Sequence, residues 1–86
     1  MNPTPSNTTE RVRSILAAVL AEAGDDEPFA DGDSMVTSGR LTSLDVVAVV
    51  SALEEAFGFE LGADDFDPVF FDSVDSITAL VARLQP

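Results

Sequence analysis

The apolar residues of this chain recur every three or four positions in three separate stretches, and this pattern constrains the fold more than any other feature. The stretches contain Val12, Ile15, Leu16, Val19, Leu20 and Ala23, then Val46, Val49, Val50, Leu53 and Phe57, then Val74, Ile77, Leu80, Val81 and Leu84. Such spacing places each set on one side of an α-helix. Because the chain has 86 residues and no cysteine, the helices must bury these sides against one another in one small core without disulfides.

The first helix is expected to begin near Thr8–Glu10, because residues 7–10 read Asn-Thr-Thr-Glu with the spacing of a capping box. Gly24 is its expected stop. Residues 1–8 show no apolar periodicity and are predicted to form a disordered tail. Residues 9–85 are then a single domain.

The second helix is predicted over about Ser43–Phe57, with Thr42 or Ser43 as its cap and Gly58 as its stop. The last helix is predicted to begin after Ser73, its cap, and to run to about Leu84. These boundaries leave a long first loop from Gly24 to Thr42, between the first two helices. This loop is rich in Asp, Gly, Ser and Pro. Its acidic residues lack the spacing of an EF-hand, so a solvated loop is expected there.

Four apolar residues of the long loop are expected to pin it to the core: Phe29, Met35, Val36 and Leu41. A short helical turn is expected between the second and last helices, at either Ala63–Phe66 or Val69–Phe71. The sequence therefore predicts an all-α fold, a small four-helix bundle made of three amphipathic helices plus one short helix, with a long first loop.

The composition excludes several classes of function. The chain has 16 acidic residues, four arginines, no lysine and no histidine, which gives a net charge of −12. Without histidine and cysteine it lacks the commonest general base and the commonest zinc ligands, so no autonomous enzyme is expected. The negative field disfavours nucleic acid and anionic membranes and favours basic protein partners. With no long apolar run and no signal peptide pattern, a cytoplasmic monomer is expected.

Residues 33–45 read Asp-Ser-Met-Val-Thr-Ser-Gly-Arg-Leu-Thr-Ser-Leu-Asp, and residues 53–58, at the end of the second helix, read Leu-Glu-Glu-Ala-Phe-Gly. These segments and their separation resemble the acyl and peptidyl carrier protein family, which binds phosphopantetheine. The resemblance extends from the first helix to Leu84, and Ser43 falls at the family's modified serine. It implies that a phosphopantetheinyl transferase attaches 4'-phosphopantetheine from coenzyme A to Ser43, that the arm carries a thioester, and that the chain itself catalyses nothing.

The position of Ser43 at a helix start is physically suited to such an attachment. Free N–H groups and the helix dipole favour the negative charge of a phosphodiester there. The alternative interpretation is that Ser43 is a simple N-cap, which is the usual role of a serine at this position.

Two departures from the family pattern affect what the resemblance implies. Thr42 replaces the aspartate that precedes the serine, and Ala48 replaces a glutamate found in carriers of fatty acid synthesis. Helix two is expected to dock loading and cargo-processing enzymes that carry basic patches. The residues expected to be recognised by partners are Arg40, Thr42, Leu44, Asp45, Val47, Ala48, Glu54 and Glu55.

The apolar middle of helix two favours a specialised carrier for polyketide, nonribosomal peptide or aminoacyl transfer. A second interpretation of that face is that the long loop partly buries it. Two rival functions stay open: a degenerate, unmodified carrier-like docking or scaffold protein, and an unrelated acidic helical adaptor.

Overall fold

The computed structural model describes residues 5–62 and 67–84 of the chain. In chain order the elements are α1 (Pro5–Glu22), α2 (Ser43–Phe57), a 3₁₀ helix (Pro68–Phe71) and α3 (Val74–Leu84). Helix α1 packs against both α2 and α3, and the 3₁₀ helix packs against α3. No strand occurs in the described residues. The predicted all-α fold, with three helices, one short helix and a long first loop, is confirmed.

The first helix starts earlier than its sequence pattern predicts. Helix α1 begins at Pro5, and the predicted start near Thr8–Glu10 is wrong. Proline is well suited to a first helical position, because the N–H group that it lacks would have no partner there. The predicted division into a tail and a domain stays a prediction, because residues 1–4 lie outside the described part of the chain.

The predicted ends of α1 and α2 are confirmed by their backbone geometry. Gly24 follows α1 with a φ of 90°, and Gly58 follows α2 with a φ of 74°. This left-handed conformation favours glycine, because a side chain would be strained there. The N–H group of Gly58 donates to the carbonyl oxygen of Glu54 at 2.9 Å and closes the last turn of α2.

The short helix occupies one of its two predicted positions. Pro68–Phe71 is a 3₁₀ helix, and Asp67 caps it by accepting a hydrogen bond from the N–H group of Val69 at 3.1 Å. The other predicted position, Ala63–Phe66, lies outside the described residues. The predicted cap of α3 is confirmed, because the Ser73 hydroxyl accepts a hydrogen bond from the Ser76 N–H group at 3.0 Å.

The core is built from the predicted helix faces and from the long loop. The buried apolar residues are Val12, Leu16, Leu20, Met35, Leu41, Val46, Val49, Val50, Leu53, Leu61, Phe71, Val74, Ile77, Leu80 and Val81. Met35 and Leu41 are buried, and Phe29 and Val36 pack partly buried against the core. The long loop is therefore pinned by the four apolar residues that the sequence indicated.

Two arginines also hold the long loop by ion pairs. Arg13 of α1 donates from Nε and from Nη2 to the two carboxylate oxygens of Asp31, at 2.9 and 2.8 Å. Arg40 binds Asp25 at 3.1 Å, and its guanidinium group also donates to the carbonyl oxygen of Glu27 at 2.8 Å. The loop is thus fixed at both ends although it has no regular structure.

Phe71 is among the largest fully buried side chains, so its truncation tests the core. Replacement by alanine removes its contacts and leaves a cavity, and we expect Phe71→Ala to lower the free energy of unfolding by about 3–5 kcal/mol. The nearby Val69 is 61% exposed. We therefore expect Val69→Ala to change the free energy of unfolding by less than about 0.5 kcal/mol. Urea denaturation followed by circular dichroism measures both, and equal effects would contradict this description of the core.

Candidate functional site

Ser43 is the first residue of α2, and the residue before it caps the helix. The Thr42 hydroxyl accepts a hydrogen bond from the Asp45 N–H group at 3.2 Å. In return, the Asp45 carboxylate accepts one from the Thr42 N–H group at 3.0 Å, which completes a capping box. Of the two caps that the sequence allowed, Thr42 is the one present. The interpretation of Ser43 as a simple N-cap is wrong.

The Ser43 hydroxyl is consequently available for chemistry. Ser43 is exposed, and its side chain makes no hydrogen bond within the described residues. It lies in the first turn of a 15-residue helix, where unpaired N–H groups and the helix dipole give a partial positive charge. A phosphate group esterified at this hydroxyl would be stabilised by that charge. The arrangement therefore fits a serine that carries a phosphodiester.

An apolar groove of about 570 Å³ opens beside Ser43. Among the described residues, its walls come from the end of the long loop, the first turns of α2 and the start of the 3₁₀ helix. The residues that line it are Val36, Leu41, Thr42, Ser43, Val46, Val47 and Pro68. Its volume lies in the range of small-molecule sites. The exposed hydroxyl therefore stands at the edge of a surface that can shelter an apolar group.

Asp72 holds the loop wall of this groove in place. Its carboxylate accepts hydrogen bonds from the N–H groups of Val36 at 2.8 Å and Thr37 at 2.9 Å, and from the Thr37 hydroxyl at 3.3 Å. Its carbonyl oxygen accepts a further bond from the Met35 N–H group at 2.5 Å. The N–H group of Thr37, more than any other contact, holds the pKa of Asp72 below its usual value. Nothing in the sequence pattern indicated this residue.

Four of the residues expected to be recognised by partners are engaged inside the chain. Thr42 and Asp45 form the capping box. Arg40 binds Asp25. The Glu54 carboxylate accepts a hydrogen bond from the Leu61 N–H group at 2.9 Å, which fixes the chain that leaves α2.

The other four expected recognition residues are exposed on α2. Leu44 is 81% exposed and Val47 is 54% exposed, and Ala48 and Glu55 are also exposed. The interpretation in which the long loop partly buries this face is wrong. Val69, on the 3₁₀ helix, is a third large exposed apolar residue, and no sequence pattern indicates its exposure.

All four arginines of the chain make contacts within it. Besides the two that bind the loop, Arg11 donates to the Ala56 carbonyl oxygen at 2.6 Å and lies 4.4 Å from the centre of the Phe57 ring. Arg83 lies 5.1 Å from the centre of the Phe70 ring. Because 16 acidic residues outnumber these four arginines, the field around the protein is negative. Among the described helices, none combines the length and the apolar content required to cross a bilayer.

Residues 10–84 match the family described as "Phosphopantetheine attachment site". Because this match spans most of the chain, the protein belongs to that family of carrier domains. Members carry covalent 4'-phosphopantetheine, are modified by phosphopantetheinyl transferases and are not themselves catalytic. The predicted family, its prosthetic group and the expectation of a non-enzyme are confirmed. No curated protein matches the chain.

The cap can be tested separately from the hydroxyl beside it. Because Thr42→Ala removes the acceptor for the Asp45 N–H group, we expect the free energy of unfolding to fall by about 1 kcal/mol. Thr42→Asp supplies a carboxylate in the same place and should stay within about 0.5 kcal/mol of the wild type. Urea denaturation at pH 7 measures both variants. An unchanged stability in Thr42→Ala would show that the capping box contributes nothing.

The lowered pKa of Asp72 predicts how the stability depends on pH. Because the pKa is lower in the folded chain than in the unfolded chain, the stabilisation is complete above the unfolded value. It is lost as the pH falls through the folded value, that is, from about pH 4 downward. At pH 7 we expect Asp72→Asn to be less stable than the wild type by about 1–2 kcal/mol. This difference should shrink as the pH falls toward about 2.

Thermal unfolding between pH 7 and pH 2 measures this difference. Asp26→Asn is the matched control, since Asp26 is exposed and its carboxylate makes no hydrogen bond within the described residues. We expect that variant to stay within about 0.5 kcal/mol of the wild type at pH 7. A difference between Asp72→Asn and the wild type that stays constant down to pH 2 would show that the carboxylate does not hold the loop.

Proposed function

We propose that this protein is a working carrier that is modified at Ser43. The observation that carries the proposal is the division of roles at the start of α2. Thr42 caps the helix, so the Ser43 hydroxyl is exposed and makes no hydrogen bond within the described residues. A hydroxyl that was needed for the fold could not be esterified without loss of stability.

The proposed modification requires only an acceptor from this chain. The Ser43 oxygen forms a new bond to phosphorus, and a P–O bond within the pyrophosphate of coenzyme A breaks. Adenosine 3',5'-bisphosphate leaves, and the hydroxyl proton passes to a base of the transferase. The chain has no histidine, which agrees with a base supplied by the partner. Once attached, the arm offers a terminal thiol that holds acyl or aminoacyl cargo as a thioester.

The rival proposal of an unmodified docking protein drew its support from Thr42, which replaces an acidic residue. The capping box weakens that support, because Thr42 gives α2 the same kind of side-chain cap that an aspartate gives. What the replacement removes is one negative charge next to Ser43. A slower modification is therefore expected, and not a lost one.

We further propose that α2 presents the carrier to its partner enzymes and that the chain acts as a cytoplasmic monomer. The exposed face of α2 is apolar at its start, with Leu44 in the first turn and Val47 and Ala48 in the second. An acidic residue is absent from the middle of this face, which supports a specialised carrier for polyketide, nonribosomal peptide or aminoacyl transfer. The shared chemistry of these cargoes is a carboxyl group activated as a thioester.

Intact mass spectrometry tests the attachment. The protein is incubated with coenzyme A and a permissive phosphopantetheinyl transferase, and we expect a gain of one phosphopantetheine. Ser43→Ala should show no gain, because it lacks the acceptor oxygen. Ser14→Ala is the matched control, since Ser14 is an exposed serine on α1, and it should gain the arm as the wild type does.

The variant Thr42→Asp separates the two proposals if the wild type reacts slowly. Restored charge beside Ser43 should raise the initial rate of modification while the cap is kept. If neither the wild type nor Thr42→Asp gains mass although both are folded and the transferase modifies another carrier, the protein is not a carrier modified at Ser43. The unmodified docking protein would then be the better account.

A further inference from the structure

Arg40 lies three residues before Ser43, and its guanidinium group is bound at the opposite end of the long loop. Nε and Nη2 donate to the two carboxylate oxygens of Asp25, at 3.1 Å each. Nη2 also donates to the Glu27 carbonyl oxygen at 2.8 Å, and Nη1 donates to the Pro28 carbonyl oxygen at 3.3 Å. Because all three nitrogens of the guanidinium group are used, the fold fixes the orientation of this side chain.

The residues that Arg40 binds lie just after the end of α1. The Asp25 N–H group donates to the Leu20 carbonyl oxygen at 2.8 Å, so Asp25 is held against the last turn of that helix. The Phe29 ring, whose centre lies 5.8 Å from the Arg40 guanidinium carbon, packs partly buried against the core. Arg40 therefore connects the end of α1 to the segment that enters α2.

Two residues separate Arg40 from Ser43, and both are engaged by the fold. Leu41 is 2% exposed, and its N–H group donates to the Met35 carbonyl oxygen at 2.8 Å. Thr42 caps α2 through the capping box. The chain therefore enters α2 along a path that three successive residues determine, and Arg40 is the one that ties this path to the end of α1.

We propose that Arg40 is a positioning residue for the modification of Ser43. By binding Asp25, it holds residues 40–42 in the path from which the phosphopantetheinyl transferase accepts the Ser43 hydroxyl. The proposal rests on the modification of Ser43, and the bond changes are those given above: the Ser43 oxygen bonds to phosphorus, and a P–O bond of coenzyme A breaks. The Arg40 guanidinium group takes no part in them, because it is bound to residues 25–28.

Direct recognition of Arg40 by a partner, which is the role expected from the sequence, is disfavoured by these contacts. The Arg40 side chain is 22% exposed, and an acidic group of the partner would have to displace the Asp25 carboxylate to reach the guanidinium group. The net charge of −12 also favours basic partner surfaces, and a basic surface gains nothing from an arginine. The contacts and the charge therefore both favour an internal role.

The expected effect depends on the fraction of molecules in which residues 40–42 follow this path. If about a third of the molecules keep it once the contact with Asp25 is removed, the apparent affinity for the transferase falls about threefold. The chemical step within the complex is unchanged, because the Ser43 oxygen and the cap of α2 are the same. Loss of the Arg40 side chain should therefore raise the KM for the carrier and leave kcat as it is.

Steady-state kinetics of modification test this with the full chain and coenzyme A, at a temperature at which every variant is folded. We expect Arg40→Met to raise the KM for the carrier about threefold. Asp25→Asn keeps the oxygen that accepts the Glu27 N–H group at 3.1 Å, and should raise KM about twofold. The double variant should match Arg40→Met, because both substitutions remove one contact. Additive effects would show that Arg40 does not act through Asp25, and would overturn the proposal.

Arg13→Met is the matched control. Arg13 binds Asp31 with the same two-donor geometry, at 2.9 and 2.8 Å, but in the middle of the loop, so the KM of this variant should stay within about 1.5-fold of the wild type. Arg40→Lys keeps the charge and loses the planar fork, and its KM should stay raised about twofold. The proposal is wrong if Arg13→Met raises KM as much as Arg40→Met, if Arg40→Lys behaves as the wild type, or if kcat falls while KM is unchanged.

Amide hydrogen exchange of the unmodified protein separates this proposal from the attachment. Arg40→Met should speed the exchange of the Leu41 N–H group about tenfold, while that of Val81 in the core of α3 stays unchanged. If the wild type never gains the arm, the proposed function is overturned, and faster exchange would still show that Arg40 orders the path to Ser43. If the wild type gains the arm and Arg40→Met changes neither KM nor the exchange, the attachment stands and the role of Arg40 is overturned.

Discussion

Asp72 lies between the 3₁₀ helix and α3, and its carboxylate binds the N–H groups of Val36 and Thr37 at the far end of the long loop. This contact joins two parts of the chain that are 35 and 36 residues apart in sequence. The loop has no regular structure of its own, so its path depends on such contacts. Because Val36 lines the groove beside Ser43, the contacts of Asp72 help to fix the loop wall of that groove.

The balance of charged residues determines the charge of the surface. The chain has four arginines, and each is placed against a carbonyl oxygen, a carboxylate or an aromatic ring of the chain itself. Carboxylates outnumber them fourfold, and those that have no internal donor define the field around the protein. A strongly acidic surface of this kind accelerates encounters with basic surfaces.

At the start of α2, Thr42 caps the helix, and the Ser43 side chain is therefore not needed as the cap. In isolation, Ser43 is as good an N-cap as Thr42, and the sequence left both possible. The structure gives this role to Thr42, whose side chain and backbone both exchange hydrogen bonds with Asp45. As a result, the cap of α2 does not require the Ser43 hydroxyl.

The sequence by itself determined the three helices, the glycines that end α1 and α2, the residues that pin the long loop and the family. These features depend on spacing along the chain and on local backbone preferences, which neighbouring residues decide. Only the tertiary structure decided that Glu54 accepts a hydrogen bond from the Leu61 N–H group while Glu55 is exposed, that Val69 is exposed and that Asp72 holds the loop. Each of these features depends on which donor or surface the fold brings within a few ångströms. The spacing of residues along the chain cannot distinguish Glu54 from Glu55, because they are adjacent and of the same type. The start of α1 at Pro5 was missed for a local reason, because no apolar periodicity marks the first turn.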